Sequence, residues 1–172
     1  MSTPTVRLWD EYRKMHDQGH FAGRSLNKHA KAIADLVKLT AAKTLLDYGS
    51  GKGYQYGIDR MHDLWGGIEP VCYDPAVPAF AKLPDGPFDG VICTDVLEHV
   101  PEDELDATLD AIFQRATRFV YLAISTRPAR KFLPNGLNAH VTVHPADWWA
   151  GKLRSNGKWD RQYLIVEAVY SP

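Results

Sequence analysis

TLLDYGSGKGYQY, residues 44–56, is the stretch whose reading decides the fold. Leu45 and Leu46 end a short apolar run, and three glycines follow at alternate positions, Gly49, Gly51 and Gly53. Glycine is required where the backbone takes positive φ or where a ligand must touch the main chain. The spacing therefore predicts a strand, then a tight turn with accessible backbone N–H groups, then a helix from near Gly53 to about Leu64. A helix start adds partial positive charge, which suits a carboxylate or the edge of a nucleoside. The pattern is not a dinucleotide fingerprint, because Tyr54 stands where G-x-G-x-x-G needs its third glycine. It is not a P-loop either, since Gly53 is followed by Tyr54 and Gln55 rather than Lys-Ser/Thr. Asp47, just before the turn, is unfavourable beside a pyrophosphate and favourable beside an ammonium group.

Outward from this turn, strands and helices alternate. IEPVCYD (68–74) reads as a second strand closed by an acid, FDGVICTD (88–95) as a third and FVYLAI (119–124) as a fourth. The fourth is apolar enough to be buried on both faces. QYLIVEAVY (162–170) reads as a last strand. Before the turn, Leu8, Tyr12 and Met15 have helical spacing. A better helix spans 25–39, with Ser25 as N-cap and Leu26, Ala30, Ile33, Ala34 and Val37 on one face. Pro101 and its acids open a helix striped by Leu105, Leu109, Ile112, Phe113 and Ala116. A short helix is expected over 145–153, and AHVTVH (139–144) is a candidate extended segment. The alternation predicts an α/β fold, a three-layer sandwich around a mostly parallel sheet. Asp74 falls about twenty residues past the turn, where an acid can accept hydrogen bonds from both ribose hydroxyls.

Composition narrows the classes. The 172 residues amount to about one domain, with 45% apolar and 24% charged residues and a net charge of −1. Such a chain has no general attraction to nucleic acid or anionic membrane. Its two cysteines, Cys72 and Cys93, lie in strand-like runs and read as buried reduced thiols. No apolar run approaches a membrane span, and the N-terminus lacks a signal-peptide core. A cytoplasmic location is the expectation.

Taken together, these residues resemble the class I, Rossmann-like, S-adenosylmethionine (SAM)-dependent methyltransferase family, in its small-molecule branch. LLDYGSGKG looks like the family's first motif and YDP its second. FDGVICTDVLEHVPEDEL is similar to its fourth-strand motif and following helix. The resemblance covers roughly 44–124. It implies a cofactor set of Asp47, Tyr48, Gly49, Ser50, Gly51, Gly53, Asp74, Pro75 and Asp95. The glycine turn would border the methionine part of SAM, Asp47 would hold its ammonium, and Asp74 its ribose. Asp95 would face the methionine end or the acceptor, with Glu98 and His99 nearby. One departure stands out: only residues 75–87 separate Asp74 from Phe88, where the family carries on the order of 35 residues of helix, strand and helix. Pro75, Pro78, Pro84 and Pro87 forbid a regular helix there. The sheet is therefore expected to lack one edge strand with its helices. The family's usual acidic contact to adenine goes with them, leaving Ala76, Val77 and Phe80 to cover the base.

Methyl transfer is an in-line displacement, so the protein must align a nucleophile and sometimes take its proton. Candidate bases are Asp95, His99, His140 and His144, with His140 foremost as the catalytic choice beside Asp95 and His99. Asn135, Asn138, Trp148 and Trp149 are candidate acceptor contacts. His140 and His144 would share a face of extended chain, but the sequence offers no third ligand, so no metal is assigned. Residues 1–40 are expected to form a helical lid over a core of 43–172, with Tyr12, His20, Phe21, Arg24 and Lys28 able to reach the acceptor. The acceptor is expected to be a small molecule, nucleotide or modified base. An NAD-linked oxidoreductase and a nucleoside-binding module without chemistry remain the alternatives.

Overall fold

The computed structural model describes residues 4–21, 25–156 and 165–171. Within them, five strands form one sheet in the order β2-β1-β3-β4-β5, every neighbouring pair parallel. The strands are β1 (Leu45–Tyr48), β2 (Val71–Tyr73), β3 (Phe88–Thr94), β4 (Ala116–Ser125) and β5 (Ile165–Ser171). The predicted residues 162–164 lie outside the described residues. The helices are α1 (Pro4–Asp17), α2 (Ala30–Thr40), α3 (Tyr54–Gly57), α4 (Leu105–Arg115) and α5 (Ala146–Ser155).

Period-two alternation builds the three layers. Leu46, Val91, Cys93, Val120, Leu122 and Ile124 face α4 and α5, meeting Leu109, Ile112, Phe113, Trp149 and Leu153. Leu45, Ile92, Phe119, Tyr121 and Ala123 face the other way, onto Ile33, Leu36 and Val37 of α2 and onto Tyr56, Met61 and Trp65. A third cluster joins Leu8, Tyr12 and Met15 of α1 to Ala76, Leu133 and Ala139. This explains the helical spacing in α1: its apolar stripe packs over the loops at one end of the sheet. Both cysteines are free.

β2 is an edge strand, and residues 75–87 hold only a 3₁₀ turn at Pro78–Phe80. The abbreviated sheet expected from the proline-rich connection is what the chain adopts. Other elements differ from the sequence reading. The helix expected over 53–64 is two pieces, α3 and a 3₁₀ turn at Met61–Trp65. Gly57 ends the first, and Arg60, at φ 50°, breaks the path between them while its guanidinium holds Asp63 at 2.8 Å. The helix expected from Ser25 begins as a 3₁₀ turn to His29, so Ser25 does not cap α2. Residues 139–144 join no strand. Thr142 instead binds the loop after β3, its N–H to Glu98 O at 3.0 Å and its hydroxyl to Val100 O at 2.6 Å.

Candidate active site

The chain passes from β1 to β2 on one side, then returns from β2 across to β3 on the other side of β1, so the strand order reverses at β1. Ligands of open α/β sheets bind at such a switch point, beyond the strands' carboxyl ends. A cavity of about 780 Å³ opens there. Its floor carries Tyr48, Gly49, Ser50 and Gly51 after β1, Asp74, Pro75 and Ala76 after β2, and Asp95, Glu98 and His99 after β3. Trp9, Tyr12 and His16 of α1 cover it, with Phe21 and Lys28. Arg127, Arg130, Lys131 and His140, from the chain after β4, complete the wall.

The glycine turn is shaped as expected, but its N–H groups are not free. Gly49, Gly51 and Gly53 have φ of 87°, 57° and 67°, which only glycine adopts without strain. Yet the amides expected to face a ligand are already committed. Gly49 and Ser50 donate to Tyr73 O, Gly51 to Asp74 Oδ2 at 2.9 Å, and Gly53 to Ser50 O. With α3 a single turn long, helix charge adds little. What the turn offers is bare backbone surface. At Gly49 the reason is packing: a Cβ would stand 2.2 Å from Val96 Cγ2, so β1's turn presses on β3's. Gly53 lies behind the turn, against Cys72 and Phe80, and does not line the cavity.

Of the two acids, Asp74 lines the cavity and Asp47 stands back from it. Asp47 is 2% exposed and does not line the cavity. Its Oδ2 accepts from Tyr56 Oη at 2.7 Å and from Gln55 Nε2 at 3.1 Å. Burial raises its pKa to about 6 despite those hydrogen bonds. Gln55 is the group that reaches the cavity, and its Oε1 is buried with no partner among the described residues. Asp74 holds the turn together, accepting from Gly51 N and, through Oδ1, from Ala76 N at 2.9 Å.

Beyond β3, Asp95 sits at φ 54°, an uncommon left-handed conformation pinned by its N–H to Ala123 O at 2.8 Å. Its carboxylate lies 3.7 Å from Lys28 Nζ. Glu98 is fully buried; Oε1 accepts from Ser125 N at 3.1 Å, and burial raises its pKa to about 8. His99 Nδ1 lies 2.6 Å from Ala139 O, and His140 Nδ1 lies 2.7 Å from Arg127 O. A carbonyl only accepts, so both Nδ1 atoms carry the proton and both Nε2 atoms keep a lone pair when the rings are neutral. Desolvation at the cavity floor, with His140 beside it, lowers the His99 pKa to about 4. The two imidazoles meet edge to face, centroids 4.9 Å apart. Tyr12 Oη lies 2.7 Å from Ala139 O and 3.1 Å from His99 O, tying α1 to both.

Several sequence candidates lie elsewhere. Trp149 is core, and Trp148 stacks on His144 at 3.7 Å, outside the cavity. His144 binds Glu102 at 2.9 Å. Asn138 buttresses the loop, bonded to Ala129 N and O and to His140 N, and Asn135 is exposed. His20 binds Gln18 outside the cavity, and Arg24 lies outside the described residues. The sequence reading missed His16, Gln55 and the cations of 127–131. His16 was within reach, one helical turn after Tyr12 on the same face.

A sheet of this order with a glycine-floored cleft at its switch point defines a Rossmann-like nucleotide-binding protein. The profile of the family described as "Methyltransferase domain" matches residues 21–161. The chain belongs to that family and is a SAM-dependent methyltransferase. The oxidoreductase alternative gives way to it. Among solved structures, the fold matches a DhpI–SAH complex at TM-score 0.56 and 20% identity, over 91% of this chain and 89% of that one. No curated protein sequence matches.

Proposed function

We propose that the cavity holds SAM along its β1–β2 side and transfers the methyl group to a small anionic acceptor, such as a nucleotide or phosphorylated metabolite, bound under α1. The observation that carries this is the polarity of one continuous cavity. Acids Asp74 and Asp95 follow β2 and β3 beside the glycine turn, with Lys28 close to Asp95, and cations Arg127, Arg130 and Lys131 follow β4, with the two imidazoles and Glu98 among the lining between them. A volume near 780 Å³ lies in the upper part of the roughly 300–1,000 Å³ range of ligand sites and has room for a nucleoside and a modest acceptor.

In this reading Tyr48, Gly49, Ser50 and Gly51 border the methionine part. Gln55 Oε1 accepts from the ammonium, with Asp47 behind it supplying negative charge. The unused lone pairs of Asp74 take the ribose hydroxyls, and Pro75 and Ala76 lie against adenine where the missing strand would have been. Val77 and Phe80 do not line the cavity. Asp95 stands near the sulfonium. The Nε2 lone pairs of His99 and His140 face the nucleophile and receive its proton as the oxygen or nitrogen attacks the methyl carbon. The N-terminal helix acts as a lid. Incubation with labelled SAM and separate pools of phosphorylated and neutral metabolites tests the acceptor class. Methylated product confined to the phosphorylated pool supports it, and product only from neutral acceptors overturns it.

A further inference from the structure

We propose that Glu98, His99 and His140 form a binding site for a divalent transition-metal cation at the acceptor end of the cavity. The three side chains each offer one ligand atom, and these atoms all lie within 4.8 Å of one another. Bound to one cation at about 2.1 Å, such atoms stand roughly 3.4 Å apart, so small side-chain shifts close the set. The tertiary fold supplies the third ligand that the sequence did not offer, and it comes from Glu98, not from His144.

Three features point to a cation. First, Glu98 is 0% exposed, and its Oε2 has no hydrogen-bond partner among the described residues although Oε1 is held by Ser125 N. A buried carboxyl oxygen left without a hydrogen-bond partner is costly and leaves a ligand position open. Second, both histidines donate Nδ1–H to backbone carbonyls, Ala139 O and Arg127 O. That outer contact fixes tautomer and ring plane, and it is how metal-ligating histidines are generally held. Third, the supports interlock. The carbonyl that orients His99 belongs to the residue before His140, and Tyr12 Oη grips that same carbonyl. Two imidazoles and one carboxylate suit zinc or ferrous iron with positions left open, and all three residues line the cavity.

The cation's role in catalysis rests on the proposed methyl transfer; its binding does not. With the cation bound, the Nε2 lone pairs are its ligands and take no proton; a hydroxyl acceptor would instead bind the cation as its alkoxide, the proton leaving to solvent. The O–CH₃ bond then forms as the S–CH₃ bond breaks, releasing neutral S-adenosylhomocysteine (SAH).

The test uses the full chain stripped of metal by chelator dialysis and titrated with Co²⁺, followed by visible absorption, and with Zn²⁺, followed by calorimetry. One cation per chain is expected, with cobalt bands of nitrogen–oxygen coordination. His140→Ala and Glu98→Gln should each weaken binding at least about tenfold, with folding checked by circular dichroism. Glu98→Gln keeps an acceptor for Ser125 N, so it reads the site without emptying the core. His144→Ala should leave binding unchanged. No Co²⁺ or Zn²⁺ binding by the wild-type chain, or equal affinity in His140→Ala, overturns the site. SAH titrated into the stripped protein separates the two ideas: SAH binding without cobalt binding sinks only the metal site, and cobalt binding without SAH sinks only the cofactor reading.

Discussion

At Gly49 two constraints coincide, a φ of 87° and a Val96 methyl where a Cβ would go. Gly49→Ala should cost about 2–3 kcal/mol in urea melts. Adding Val96→Ala should recover part of that, because it removes the clash and leaves the strained φ. At Gly51 the neighbour is softer, His16 Cε1 at 3.7 Å, but φ is 57° and the surface faces the cavity. Gly51→Val should abolish SAM binding by calorimetry. Asp47 gives a pH signature. Its folded pKa, about 6, lies above the ordinary carboxyl value of 3.8, so the folded chain binds the extra proton between those values. Stability should therefore fall as pH rises from about 4 to 6, by up to about 3 kcal/mol. The difference between wild type and Asp47→Asn in denaturant melts at pH 4 and pH 7 measures it. A difference that does not change with pH would show that Asp47 ionises normally. His140→Ala should lower turnover with SAH affinity preserved, and full activity would make that ring structural.

Among the elements, α1 matters most to the cavity. Leu8, Tyr12 and Met15 are buried against the loops beyond β2 and β4, and Tyr12 Oη anchors the helix to Ala139 O and His99 O. Lys131 Nζ also donates to His20 O, from the wall to the segment after α1. Tyr12→Phe keeps the packing and removes the anchor. About 1–2 kcal/mol of α1 docking should be lost, seen as faster amide exchange confined to α1 and a raised KM for the acceptor. Uniformly faster exchange throughout the sheet would instead place Tyr12 in the global core. α5 contrasts with α1. Trp149 and Leu153 are wholly buried in the core, so the tryptophan pair serves the sheet and not the cavity.

For the whole molecule, ligand binding should appear as stability. SAH at one hundred times its Kd should add about 2.7 kcal/mol, raising Tm by roughly 5–10 °C for a chain of this size, and NAD should add nothing. An equal rise with NAD would contradict the reading of the turn. The abbreviated sheet makes the expectation sharper. With β2 at the edge, the proposed placement of adenine against Pro75 and Ala76 predicts that SAH orders the 75–87 connection more than any other segment in hydrogen exchange.

Patterns carried by neighbouring residues were readable without a structure. The apolar runs of β1, β3 and β4, the punctuation at 49–53 and the prolines of 75–87 declare strand, turn and missing strand, because backbone φ and two-residue alternation are local properties. Contacts between distant residues were not readable that way. Asp74 closes on Gly51 across 23 positions, Ala139 orients His99 across 40, and Gln55 displaces Asp47 from the cavity. Whether an amide is free or a carboxylate is bare depends on which groups the packed chain brings beside it, and only the folded sheet decides that.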